Sequence, residues 1–196
     1  MIIIKHRVNT SKELKKLSIN FGAEIDLRSN NKDVYLHHDP FKKGELFSNW
    51  IKYFKHKLLV LNVKEEGLEE KIVSILKKNN IKNFFFHDQT FSSLLKNMNK
   101  TKVSIRYSEF EDLKKIDKLF DSIKWVWIDN FNEIKIDRKF YSFLKKKKVK
   151  ICIVSPELVK KSRSKEIKKI KSYLKKNKYI VDAVCTKNSE LWSKKT

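Results

Sequence analysis

Arginine, glycine, proline and cysteine are all scarce in this chain, and each scarcity narrows what the protein is. Only two cysteines occur, Cys152 and Cys185, each inside an apolar run. Neither has the CxxC spacing of a zinc site, so they read as buried free thiols rather than a disulfide or metal pair. With three glycines and two prolines in 196 residues, no stretch reads as a linker. The longest apolar runs, such as Met1 to Ile4, Leu58 to Leu61 and Trp125 to Ile128, span only four to six residues. Crossing a bilayer takes about 18. Met1 to Ile4 also runs straight into Lys5 and His6, too short a segment for a secretory signal, so a cytoplasmic protein is expected.

The shortage of arginine bears on the charge. Formal net charge is +23, yet of 46 basic residues only five are arginine (Arg7, Arg28, Arg106, Arg138 and Arg163). Readers of nucleic acid favour arginine because its planar fork bonds phosphates and guanine bidentately. Abundant Lys, Asn, Ile and Phe match the bias of an AT-rich genome, with the lysines on solvated helix faces. A nucleic acid, an anionic lipid or a phosphorylated substrate stays open as an anionic partner.

What is present is a regular alternation. Eight short apolar or β-branched runs read as strands: Ile2 to Arg7, Ala23 to Arg28, Leu58 to Lys64, Asn83 to His87, Lys102 to Tyr107, Trp125 to Asn130, Lys148 to Ser155 and Val181 to Thr186. Helical patterns lie between them, at Ser11 to Asn20, Leu68 to Lys78, Glu109 to Phe120, Lys139 to Lys146 and Ser164 to Lys176. Thr10 or Ser11 ahead of Glu13 looks like a capped helix start. This order predicts an α/β protein, a compact (β/α)8 TIM barrel forming a single domain over residues 1–196. Val34 to His38 reads as a small extended insertion after the second strand. Trp125, Trp127 and Phe84 to Phe86 read as core.

Three fragments near the N-terminus carry polar groups at predicted strand ends, where α/β enzymes build their sites. They are IIIKHR, GAEIDLR and VYLHHDP, within residues 2–40. Glu24 and Asp26 share one strand face, and a pair of carboxylates pointing together suits a hard divalent cation. Asp88, Arg106, Asp129 and Thr186 also fall near strand ends; Arg106 is a candidate second phosphate ligand.

The order His-Arg, Gly-x-Glu-x-Asp, His-Asp resembles the glycerophosphodiester phosphodiesterase family of TIM-barrel phosphodiesterases. The resemblance is strongest over residues 1–40, with echoes in LLVLNVK and VDAVCTKNSELW. It implies a metal-dependent phosphodiesterase acting on a small-molecule phosphodiester. His6 and His38 would be the acid–base pair, imidazole being suited to both proton tasks near neutrality. Glu24, Asp26 and Asn62 would hold Mg²⁺ or Ca²⁺. Arg7 and Lys64 would bind phosphate oxygens. Asp39 would orient a histidine or its loop.

Two departures stand out. Val8 replaces the glycine that usually follows His-Arg. Asn62 stands where the family has a glutamate ligand, which implies weaker metal binding unless Glu65 or Glu66 reaches in. Two alternatives therefore accompany the enzyme: a degenerate barrel that binds phosphate or metal without turnover, and a basic binder of nucleic acid or anionic surfaces.

Overall fold

A computed structural model describes residues 1–30, 32–111, 116–134 and 136–194. The fold is mixed α/β, and all eight predicted strands are present within a residue or two of their expected ends. The chain divides into two compact units, Lys5–Val103, and Met1–Ile4 with Ser104–Thr196.

In the first unit, β2 (Gly22–Ser29), β5 (Leu59–Val63) and β6 (Phe84–His87) are parallel neighbours, with Ala23 opposite Leu59 and Leu59 opposite Phe84. The other edge of β2 carries a hairpin. There β3 (Val34–Leu36) pairs antiparallel with β2, and β4 (Glu45–Leu46) pairs with β3. Helix α1 is shorter than its pattern suggests, Ser11–Lys16, because Leu17 turns extended at its C-terminus. Its start is the expected capping box between Thr10 and Glu13. Two short helices, α2 (Phe47–Trp50) and α4 (Phe91–Asn97), escaped the periodicity; between them lies α3 (Glu69–Lys78), which buries Ile72 and Leu76 one turn apart.

In the second unit, residues 2–4 of β1 (Ile2–Lys5) lie beside β10 (Ala183–Thr186), followed in order by β9 (Lys150–Val154), β8 (Trp125–Ile128) and β7 (Ser104–Tyr107). Pairing from β10 to β7 is parallel throughout. β8 and β10 are buried along their whole length, as parallel strands covered on both faces should be. Trp125, Trp127 and Phe85 to Phe86 are core residues, and both cysteines are free and buried. Helix α5 (Arg138–Lys146) starts with the Asp137 carboxylate accepting from Phe140 N and buries Phe140 and Leu144. Helix α6 (Glu166–Lys176) buries Ile167, Ile170 and Leu174, the i, i+3, i+7 stripe of an amphipathic helix. Each such side chain contributes about 1.5–3 kcal/mol through burial. A last short helix, α7, covers Ser189–Ser193. The pattern expected over Glu109 to Phe120 falls partly outside the described residues. Among the described residues, no helix is long and apolar enough to cross a membrane.

Scarcity of glycine shows at the helix ends. After α3, α5 and α6 the chain reverses through Asn80, Lys148 and Lys178, all left-handed at φ 55, 57 and 55. Each closes a Schellman motif. Ile81, Val149 and Tyr179 donate to Leu76, Leu144 and Leu174 at 2.9 Å, and the left-handed residues donate to Lys77, Lys145 and Lys175. Glycine would fill these positions without the Cβ penalty of about 1–2 kcal/mol that lysine meets there. Lys148→Gly is therefore expected to raise unfolding free energy by about 0.5–1 kcal/mol in urea, while Lys148→Val lowers it. Equal stabilities of the three proteins would contradict this reading.

Candidate active site

Two carboxylates lie side by side inside the first unit. Glu24 and Asp26 are 1% and 0% exposed. Parallel register sets Asn62 beside Asp26 and His87 beside Asn62, so these groups share one face of the sheet. Taking two charges out of water costs several kcal/mol each unless donors replace the solvent. Neighbouring segments supply them. Glu24 Oε2 accepts from the Arg7 backbone N–H at 2.7 Å, and its Oε1 from Asn62 Nδ2 at 2.9 Å. Asp26 Oδ2 accepts from Asn9 Nδ2 at 2.9 Å, while Asn9 Oδ1 accepts from the Asp26 backbone N–H at 2.9 Å. Arg7 Nε stands 3.7 Å from Asp26 Oδ2, and Lys64 Nζ 3.5 Å from Asp26 Oδ1. Lys64 also meets Asp88 at 3.1 Å. His6 Nε2 lies 3.8 Å from Glu24 Oε2.

Donors do not fully offset the confinement. Burial first, and the negative charge of Asp26 second, push the Glu24 carboxyl up to about 7. Arg7 N–H, Asn62 and Lys64 pull in the other direction.

The turn after β1 differs from expectation. Val8 occupies the place of the glycine, and the left-handed conformation is taken by Arg7 instead, at φ 55. That conformation accompanies the Arg7 N–H bond to the Glu24 carboxylate, and Val8 N then donates to Glu24 O at 2.8 Å. Asn9, two residues further on, brackets Asp26 through both its side chain and its backbone. Sequence reasoning passed over Asn9, since a lone asparagine in a turn carries no motif.

The His37-His38-Asp39 segment begins beside Asp26, whose carbonyl accepts from His37 N at 3.2 Å. His38 Nδ1 lies 2.8 Å from Asp39 Oδ1, and its carbonyl accepts from Arg28 Nε and Nη2 at 3.0 and 2.9 Å. With Nδ1–H given to Asp39, a neutral His38 keeps its lone pair on Nε2. Asp39 is held below the usual carboxylate range by that His38 bond, helped by the charges of His37 and Arg7.

Glu65 and Glu66 have other partners. Glu65 accepts from Ser29 N and Oγ, both at 2.9 Å, and pairs with Arg28 at 3.3 Å; Glu66 bonds the Thr90 hydroxyl. Three more of the expected polar residues lie in the second unit. Arg106 Nε pairs with Asp129 Oδ2 at 2.5 Å, Trp127 Nε1 donates to Asp129 Oδ1 at 3.2 Å, and buried Thr186 donates to Glu157 at 2.5 Å. Burial raises the Asp129 pKa against the pull of Arg106.

Among the described residues no three His, Cys, Asp or Glu side chains are grouped to hold a metal. A cation at Glu24 and Asp26 would need the Asn62 amide oxygen as a third donor. That oxygen and Asp26 Oδ1 are both buried without a hydrogen bond, although Lys64 makes its ion contact with the latter. Register makes the two residues neighbours. Such oxygens, together with Glu24, fit a hard oxygen-preferring dication.

No family model matches the chain, and no curated protein sequence does. Solved structures do. One is a glycerophosphodiester phosphodiesterase from Thermotoga maritima, with TM-score 0.65 and 16% identity, covering 98% of this chain and 96% of that one. The fold is that of the glycerophosphodiester phosphodiesterases. A second such phosphodiesterase, from Agrobacterium tumefaciens, gives TM-score 0.66 at 12% identity over 98% of both chains. An Oleispira antarctica phosphodiesterase, in complex with the product sn-glycerol-3-phosphate, gives 0.69 at 16% identity over 98% of this chain and 96% of that one.

The raised Glu24 pKa carries a sign. Between its ordinary value of 4.5 and about 7, the folded protein holds a proton that the unfolded chain has lost. Its contribution to stability is complete below the lower value and is lost as pH rises through the upper one. In EDTA, Glu24→Gln is expected to melt above wild type near pH 8, by on the order of 5 °C, and to lose that advantage near pH 4. Thermal melts at both pH values check this; a difference that does not change with pH would sink it.

Proposed function

We propose that this chain is a metal-dependent phosphodiesterase that hydrolyses a glycerophosphodiester or related phosphodiester by histidine acid–base catalysis, the whole chain serving as one (β/α)8 barrel domain. The observation that carries the reading is the buried Glu24–Asp26 pair. It is bounded by Asn62, Arg7 and Lys64 towards the C-terminal ends of paired parallel strands, on a fold that phosphodiesterases share. The product seen in the Oleispira structure supports a small glycerol-phosphate type of substrate.

In this reading His38, anchored through Nδ1 by Asp39, takes the proton of the attacking oxygen at Nε2. His6, 3.8 Å from Glu24, returns a proton to the leaving alkoxide. Arg7 and Lys64 bind phosphate oxygens from their positions beside Asp26. Mg²⁺ or Ca²⁺ held by Glu24, Asp26 and Asn62 would polarise the phosphoryl group and offset charge that builds on it. The neutral amide of Asn62 favours one second reading, a barrel that binds cation or phosphate without turnover.

Hydrolysis of a panel of glycerophosphodiesters and an activated aryl phosphodiester, with Mg²⁺, Ca²⁺ or EDTA, separates the two. His6→Ala and His38→Ala are each expected to lower kcat by about 10²–10⁴. Activity untouched by both would refute the assigned roles, and cation binding without hydrolysis across the panel selects the binding-only reading. Asn62→Asp adds a carboxylate to the donor set and is expected to tighten Mg²⁺ or Ca²⁺ binding by about tenfold or more in calorimetry.

A further inference from the structure

We infer that the loop carrying Phe41 is a docking tip that seats this protein on an anionic lipid surface and offers lipid-borne phosphodiesters to the neighbouring site. The second half rests on the phosphodiesterase reading above; the docking does not.

Residues 37–44 close the β3–β4 hairpin, whose last pair is Leu36 with Glu45. The base of this loop is fixed. His37 N bonds Asp26 O, and Arg28 holds the His38 carbonyl. At Gly44 the backbone passes so near Leu36 that an added Cβ would lie 2.0 Å from its carbonyl oxygen. From this anchored base the tip projects Phe41, which is 100% exposed. The ring adds nothing to the core, and the backbone beneath it is left-handed at φ 59. A bulky residue meets a cost of about 1–2 kcal/mol there. Folding alone would favour a glycine or asparagine at this position.

The neighbours of Phe41 indicate what meets the ring. Lys42 and Lys43 are both exposed, and Leu46 on β4 is 36% exposed. An exposed aromatic ring followed in the chain by two exposed lysines, with Asp39 on its other side paired to His38, suits the boundary between acyl chains and anionic headgroups, where rings settle and each lysine adds about 1 kcal/mol of attraction. Other exposed phenylalanines lack this setting. Phe110, 73% exposed, sits between Glu109 and Glu111, and Phe91 between Thr90 and Ser92. Single-stranded nucleic acid is the weaker match, because its binders stack successive bases on several rings and the tip has one. The same loop carries His37 to Asp39, so a tip resting on lipid holds the candidate site next to the headgroups.

The test is co-sedimentation of the full chain with phosphatidylcholine vesicles, with and without about 30 mol % phosphatidylglycerol, at low and high salt. Wild type is expected to bind the anionic vesicles in a salt-sensitive way and to leave the neutral ones in solution. Phe41→Ser should lower partitioning about tenfold, and Lys42→Glu with Lys43→Glu by tenfold or more, at unchanged melting temperature. Phe41→Ser should also leave hydrolysis of a water-soluble phosphodiester unchanged while slowing that of a vesicle-borne one. Absence of binding to anionic vesicles, or binding indifferent to Phe41→Ser, overturns the docking. So does loss in these variants of binding to a single-stranded oligonucleotide in place of vesicles. Intact vesicle binding without hydrolysis of either substrate supports the docking and overturns the phosphodiesterase reading alone.

Discussion

Everything at the candidate site follows from burying two carboxylates two residues apart on one strand. Glu24 and Asp26 have no solvent to share their charge, so the surrounding segments are arranged around their oxygens. The turn after β1 delivers a backbone N–H and a guanidinium from Arg7 and a side-chain amide from Asn9. β5 delivers the Asn62 amide, and the residue just after it, Lys64, an ammonium. A fold built only for stability would place apolar residues here, since a buried charged group seldom repays its desolvation. Keeping the pair, with burial pushing the Glu24 carboxyl up to about 7, is what makes this face of the sheet the candidate site.

The left-handed turn at Arg7 shows how local backbone serves that arrangement. Its φ of 55 is uncommon for a residue with a long side chain. It is held by the Arg7 bond to Glu24 and by Val8 N on the Glu24 carbonyl. One residue thus gives its backbone to one carboxylate and its side chain to the other. The hairpin on the far edge of β2 extends the same economy, since Asp26 O also fixes the start of the His37–Asp39 segment.

Much of this was legible in the sequence, for physical reasons. Parallel strands covered on both faces must be continuous apolar runs, so WVWI and AVCT declared themselves. The carboxylate pair was legible because period two puts Glu24 and Asp26 on one face whatever the rest of the chain does. Helices α2 and α4, at four and seven residues, are too short to display a period. Helix α1 ended early at Leu17, an apolar residue whose place in the pattern said nothing about its backbone. Asn9 was invisible because its role lies in two hydrogen bonds to a residue 17 positions away. Nor does a sequence say that Lys64 divides its charge between Asp26 and Asp88, which depends on where two strand ends meet.

The lysines that stand in for glycine at helix ends sit at a telling place. Lys148 and Lys178 lead into β9 and β10, and Asn80 into β6, at the N-terminal ends of those strands. Candidate functional groups such as Asn62 and Asp26 lie towards the opposite, C-terminal ends. Any relief of the left-handed cost at these three positions therefore acts where strands begin, in the segments that lead into them. Stability can thus be adjusted at a strand's start without altering the residues at its C-terminal end.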